Sequence, residues 1–209
     1  MRSSESKRVL LCDLGGVLVE FSFDLALEYW ASASGRGRAA LRQQFRVDEA
    51  FESFEAGRIT TEGYFDHVRG CLDLTLSDTE MASGWNAVYL GVNQDVLNLL
   101  EELRAAGVRL AGVTNTNPVH LAHWFPWYQR DFPVFDQLYI STQMQCRKPE
   151  QRFFEVVLQA EGIVQGDHVI FVDDTEENVL GAQRSGIGGF LFHDPDQMRL
   201  ELQERRFPL

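Results

Sequence analysis

Asp13 has the setting of a reactive carboxylate. It ends the apolar run Val9-Leu10-Leu11-Cys12 and precedes Leu14-Gly15-Gly16. Four apolar residues without helical spacing read as a buried strand. A carboxylate at the carboxyl end of such a strand, with glycines freeing the loop behind it, is placed for chemistry rather than for packing. Asp can act as a nucleophile and so split a hard hydrolysis into two easier steps. The bland use of the same residue is a turn or a helix cap.

Three later pieces offer partners. Val113-Thr114-Asn115 ends a second apolar run with a hydroxyl and a main-chain N–H that can hold phosphate oxygens. Asn115-Thr116-Asn117-Pro118 is also strong turn chemistry on any fold. Lys148, in Arg147-Lys148-Pro149, is one of two lysines in the chain, the other being Lys7. Its ammonium can neutralise a nucleophile and an incoming phosphate together, whereas most lysines are simply solvated. Phe171-Val172-Asp173-Asp174 adds a carboxylate pair, with Asn178 one helical turn on. Together with Asp13 the pair suits a hard cation such as magnesium, although an acidic doublet also caps helices.

Other groups carry less. Cys146 and Arg152 have the Cys-x5-Arg spacing of a cysteine phosphatase loop, but Pro149 removes an N–H donor and Glu150 repels phosphate. Cys12 is expected in the core. His120 and His123 lack a nearby carboxylate to complete a zinc site and are expected at the rim, where His120, Trp124 and Trp127 could line the mouth.

Strands at 108–113, 138–141, 168–172 and 189–192 alternate with helical patterns at 95–106, 150–161 and 176–185. Such alternation predicts an α/β fold, a doubly wound, Rossmann-like parallel sheet covered on both faces. Sheets of this kind bind ligands beyond the carboxyl ends of their strands, where Asp13, Thr114 and Asp173-Asp174 fall. Residues 21–93 show no convincing strand and read as an all-helical insertion with a scattered aromatic set, Phe51, Phe54, Tyr64, Phe65, Trp85 and Tyr89. The tail after Pro195 reads as an amphipathic helix. The expected division is a core of residues 1–20 and 94–209 and a helical cap of residues 21–93.

In order and spacing, Asp13-Leu14-Gly15-Gly16-Val17-Leu18, Val113-Thr114-Asn115, Arg147-Lys148-Pro149 and Phe171-Val172-Asp173-Asp174 resemble the four motifs of the haloacid dehalogenase-like superfamily. The stretches Asp-Leu-Gly-Gly-Val-Leu, Thr-Asn-Thr-Asn and Arg-Lys-Pro-Glu also look like its alpha-glucose-1-phosphatase branch. The resemblance implies a magnesium-dependent phosphatase with a small helical cap after the first strand. It implies an aspartyl-phosphate on Asp13, assisted by Lys148. Phosphate contacts would come from Leu14, Gly15, Thr114, Asn115 and Lys148. Metal contacts would come from Asp13, the Gly15 carbonyl, Asp174 and Asp173, with Asn178 behind them. The substrate would be a small phosphorylated metabolite, hexose 1-phosphate first. Most of the superfamily has a second Asp, the acid/base, where this chain has Gly15, and the glucose-1-phosphatase branch has Gly there too. Glu20 is a possible substitute acid, and residues 55–58 are expected to select substrate. The rival readings are a metal-free dehalogenase and a non-catalytic binder of a phosphometabolite.

The 209 residues are 44% hydrophobic, enough for a packed core, with net charge −12 and pI ≈ 4.8. That charge argues against nucleic acid or an anionic membrane as partner. The opening polar segment has no apolar signal core, no stretch is long enough to span a bilayer, and Cys12, Cys71 and Cys146 suggest no disulfide framework. A cytoplasmic monomer or small homo-oligomer is expected.

Overall fold

The computed structural model describes residues 7–164 and 168–209; the opening polar segment otherwise lies outside the described residues. The chain begins with β1 (Arg8–Cys12) and β2 (Val19–Phe21). Five helices follow: α1 (Phe23–Ser34), α2 (Arg38–Gln44), α3 (Glu49–Glu55), α4 (Thr61–Leu72) and α5 (Asp78–Asn86). The rest alternates: β3 (Tyr89–Val92), α6 (Gln94–Ala105), β4 (Arg109–Thr114), α7 (Pro118–Asp131), β5 (Gln137–Ile140) and the short α8 (Ser141–Met144). It closes with α9 (Gln151–Glu161), β6 (His168–Asp173), α10 (Glu176–Arg184), β7 (Gly188–Leu191) and α11 (Pro195–Glu204).

Five strands form one sheet in the order β5-β4-β1-β6-β7, every neighbouring pair parallel. Side chains of β1 alternate between two cores. Leu10 and Cys12 pack with residues of α6, α7 and α11, whereas Val9 and Leu11 pack with α9 and α10. The sheet is therefore covered on both faces, as its continuous apolar strands require. Chain direction across the sheet reverses at β1, so the carboxyl end of β1 is the switch point where such sheets open a crevice. Register brings the chemistry there. Cys12 pairs with Gly112 on one side and Val172 on the other, so Asp13 stands beside Val113 and Asp173.

Helices α1–α5 enclose a separate aromatic core in which Trp30 stacks on Trp85, ring centres 5.7 Å apart. Burying such side chains stabilises by roughly 1.5–3 kcal/mol each. Local signals set the helix starts: Ser77 and Glu80 form a capping box for α5, and Asp48 caps α3.

Besides the short β2 and α8, two elements depart from the expectation. The 21–93 segment ends in a strand, β3, which pairs antiparallel with β2. Tyr-Leu-Gly-Val leaves Leu90 61% exposed, so neither burial nor alternation marked it as a strand. Residues 115–118 do turn, but they also start a helix: Asn117 accepts from the His120 N–H and Pro118 takes the first helical position of α7. Among the described residues, no helix is long and apolar enough to cross a membrane.

Candidate active site

Lys148 organises the site. Its side chain is fully buried, and Nζ lies 2.8 Å from Asp13 Oδ1 and 2.6 Å from Asp173 Oδ2 while donating to the Val113 carbonyl at 3.0 Å. Burial works against its ammonium, but the Asp13 and Asp173 carboxylates more than offset this and hold its pKa above the ordinary lysine value. Asn115 fixes the lysine's main chain: its amide donates to the Lys148 carbonyl and accepts from the Lys148 N–H, both at 2.9 Å. The main-chain N–H of Asn115 has no such commitment to Lys148. The Thr114 hydroxyl donates to the Asn115 carbonyl at 3.4 Å, a weak tie.

The three carboxylates differ in freedom. Asp173 is fully buried, and its oxygens accept from Lys148, from the Thr175 N–H at 2.9 Å and from Asn178 Nδ2 at 2.9 Å. Asp13 accepts from the Leu14 N–H at 2.7 Å, so Leu14 reaches a phosphate only by changing partner. Burial, then the Asp173 carboxylate, push Asp13 well above the usual carboxylate range. Asp174 is exposed and is raised by partial burial and by Asp173. Oxygens of all three lie within 4.8 Å of one another. Three carboxylates against one ammonium leave two negative charges, and hard oxygen donors of that charge fit a divalent cation such as magnesium.

Two glycines shape the loop. Gly16 has φ +79°, and a β-carbon there would overlap the Asp174 carboxylate, so this close approach needs glycine. Gly15 has no such φ; a β-carbon on it would lie 3.2 Å from the Phe21 ring. An aromatic edge thus stands beside the position where most of the superfamily has its acid. Glu20 is exposed and does not line the cavity over Asp13, so it is not placed to substitute.

That cavity, ≈ 570 Å³, runs between the strand ends and helices α1–α5. Asp13, Leu14, Gly15, Thr114, Asn115, Lys148, Asp174 and Asn178 line it; Asp173 stands behind Lys148. The cap closes on it through Glu55, whose carboxylate lies 3.0 Å from Arg147 and whose carbonyl accepts from Ser141 Oγ at 2.7 Å. Burial raises Glu55 despite Arg147. Arg58 pairs with Glu150 at 2.7 Å outside the cavity. Sequence reasoning named residues 55–58 but missed Ser141 and the Arg147–Glu55 pair, which no local pattern announces.

His120 lines the cavity as expected, but from a buried position rather than an exposed rim. Its ring stacks on Trp85, Nε2 sits 2.8 Å from the Trp85 carbonyl and Nδ1 3.1 Å from Asn117 Nδ2. Burial lowers its pKa to about 4, so it is a neutral strut. Trp124 lines the cavity, whereas Trp127 packs on Phe132 in the core. Cys12 and Cys146 are buried core thiols; burial raises both, and neither is a nucleophile here.

A family model described as haloacid dehalogenase-like hydrolase matches residues 7–186. A sesquiterpene phosphatase of Aspergillus oryzae is 26% identical over 197 residues, 94% of this chain and 95% of that protein. The GMP/IMP nucleotidase YrfG of Escherichia coli is 28% identical over 211 residues, 95% and 89% of the two chains. A haloacid dehalogenase family enzyme of Bacteroides thetaiotaomicron, solved with magnesium and inorganic phosphate, aligns over 90% of this chain and 94% of its own, with TM-score 0.73 and 28% identity.

Proposed function

The chain belongs to the haloacid dehalogenase-like hydrolase family, and we propose that it hydrolyses a phosphate monoester through a phosphoryl group carried on Asp13. The observation that carries this reading is the shared ammonium of Lys148 between Asp13 and Asp173, at the floor of a cavity that Asp174 also lines. An Asp13 oxygen bonds to phosphorus as the bond from phosphorus to the alcohol oxygen breaks, and the departing oxygen takes its proton from solvent water. Lys148 offsets charge on Asp13 and on the phosphoryl oxygens, and the main-chain N–H of Asn115, with that of Leu14 once it leaves Asp13, would donate to those oxygens. Water then releases phosphate and restores the carboxylate. Asp13 and Asp174, with the Gly15 carbonyl, would hold Mg2+, which supplies positive charge between the nucleophile and its anionic substrate. Asp173 and Asn178 act from behind: Asn178 orients Asp173, which orients Lys148.

The similar proteins support phosphate as the group recognised, since a sesquiterpene phosphatase and a nucleotidase share that and not the alcohol. A small phosphorylated metabolite is the substrate class. Gly15 favours an ester oxygen that leaves with little protonation, aryl or anomeric, and this is the one ground for the hexose 1-phosphate expected from sequence. The free thiols Cys12, Cys71 and Cys146 favour the cytoplasm as its compartment. We divide the chain at the β2–β3 ribbon into a core of residues 1–20 and 94–209 and a cap of residues 21–93. A second reading, a non-catalytic phosphate-ester binder, is favoured by Gly15 and the Phe21 ring in the acid's place.

The test is release of phosphate from an aryl phosphate with added magnesium by the parent protein and by Asp13→Asn. Turnover by the parent, abolished in the variant with its fold intact, is expected. Equal turnover by both removes Asp13 from its role; no turnover by the parent, with ligand binding retained, supports the second reading.

A further inference from the structure

We propose that the alcohol part of the substrate is apolar, an aromatic or hydrocarbon group rather than a sugar or a nucleoside. This rests on the phosphatase reading and names the substrate of that same site. With phosphate on Lys148, the ester's other half must point into the space between strand ends and cap. Phe21, Phe23, Val47, Phe51, Val88 and Tyr89 line that space. Phe21 and Val47 are 37% and 60% exposed, apolar surface that a bound hydrocarbon would cover.

Three polar residues of the same lining are already satisfied. Both nitrogens of His120 have partners. Arg147 pairs with Glu52 at 3.2 Å and with Glu55 at 3.0 Å. Thr116 Oγ1 accepts from Trp124 Nε1 at 3.2 Å. A sugar would bury several hydroxyls against aromatic rings, and each hydroxyl left without a partner weakens binding by on the order of tenfold. The Glu52 and Glu177 carboxylates, also in the lining, oppose a second anionic group. Next to Asp13 itself, the Phe21 ring edge extends the apolar wall to the leaving oxygen.

The experiment is calorimetric binding of phosphonates, which cannot turn over, to the parent protein in magnesium. The series is inorganic phosphate, methyl-, butyl-, octyl- and phenylphosphonate, and a hexose phosphonate. Affinity is expected to rise roughly threefold per methylene until the cavity is filled. Phenylphosphonate against butylphosphonate separates an aromatic from a chain preference. Val47→Asp should flatten the series. A flat series in the parent, or tighter binding of the hexose phosphonate than of octylphosphonate, overturns the inference while phosphate binding leaves the phosphatase reading standing. Failure to bind phosphate, with no turnover of any monoester, brings down both.

Discussion

Lys148 Nζ lies 2.8 Å from Asp13 and 2.6 Å from Asp173, joining by one buried charge two strand ends that register alone would only set side by side. The two carboxylates could not stand so close in a buried site without that cation. Lys148→Met leaves both uncompensated. The expected result is loss of turnover and a loss of stability of about 3 kcal/mol, measured by urea denaturation in chelator. An unchanged midpoint would mean that Lys148 is not the charge that holds the site.

Magnesium dependence should separate the two neighbouring acids. Among the described side chains, Asp174 accepts only a long 3.3 Å bond from the Thr175 hydroxyl, so Asp174→Ala should raise the magnesium needed for half-maximal rate steeply while leaving the midpoint nearly unchanged. Asp173→Ala should damage both, because Lys148, Thr175 and Asn178 lose their shared partner. Excess chelator should stop the parent enzyme. Full rate in chelator would favour a metal-free dehalogenase reaction.

Gly15→Asp would place a carboxyl where an acid could protonate the leaving oxygen, but its β-carbon meets the Phe21 ring at 3.2 Å. The single variant should therefore gain little. Gly15→Asp combined with Phe21→Ala should raise the rate for primary alkyl phosphates by roughly a hundredfold, far more than for aryl phosphates. The readout is the rate across monoesters graded by leaving-group pKa. A dependence already flat in the parent would point to an acid elsewhere, with Glu55 the buried cap carboxyl to test first.

His120 should make the fold acid-sensitive. Its pKa falls from 6.5 to about 4 on folding, so between those values the unfolded chain binds more protons than the native one. Stability from this group is complete above the unfolded value and is lost as pH drops toward 4, by roughly 3 kcal/mol in all. Raised Asp13, Asp174 and Glu55 act in the opposite sense, and a comparison of variants cancels them. The parent minus His120→Gln difference, followed by urea denaturation from pH 7 to pH 4, should decline by that amount. A difference that does not change with pH would mean that His120 protonates freely in the fold.

What the sequence displayed was what repeats or alternates. Apolar runs such as Val9–Cys12 and the ladder Val96, Leu97, Leu100, Leu103 announce buried strands and helix faces, and Asp13, Thr114 and Asp174 follow from position at the strand ends, whereas Lys148, in the loop between α8 and α9, stood out by its motif. What stayed hidden depends on contacts distant in sequence. Asn115 was read for its main-chain N–H, and nothing local announced that its side-chain amide is committed to Lys148, 33 residues away. His120 was read as a rim residue because nothing local says that Trp85 covers it. β3 was invisible because only β2, far back in the chain, gives it a partner.

The pairing of β2 with β3 has a mechanical consequence. The chain leaves the core and returns to it through two hydrogen-bonded strands, not two independent strings. A two-stranded ribbon resists sliding along its length and bends most easily across its flat face. Any swing of helices α1–α5 about this ribbon would carry them as one unit and would have to slide Trp85 off His120. Travel along that arc ends where Glu55 meets Arg147 and Ser141. Phe21 lies on the ribbon itself and also edges Gly15, so the angle of the swing and the surface presented to the leaving oxygen move together.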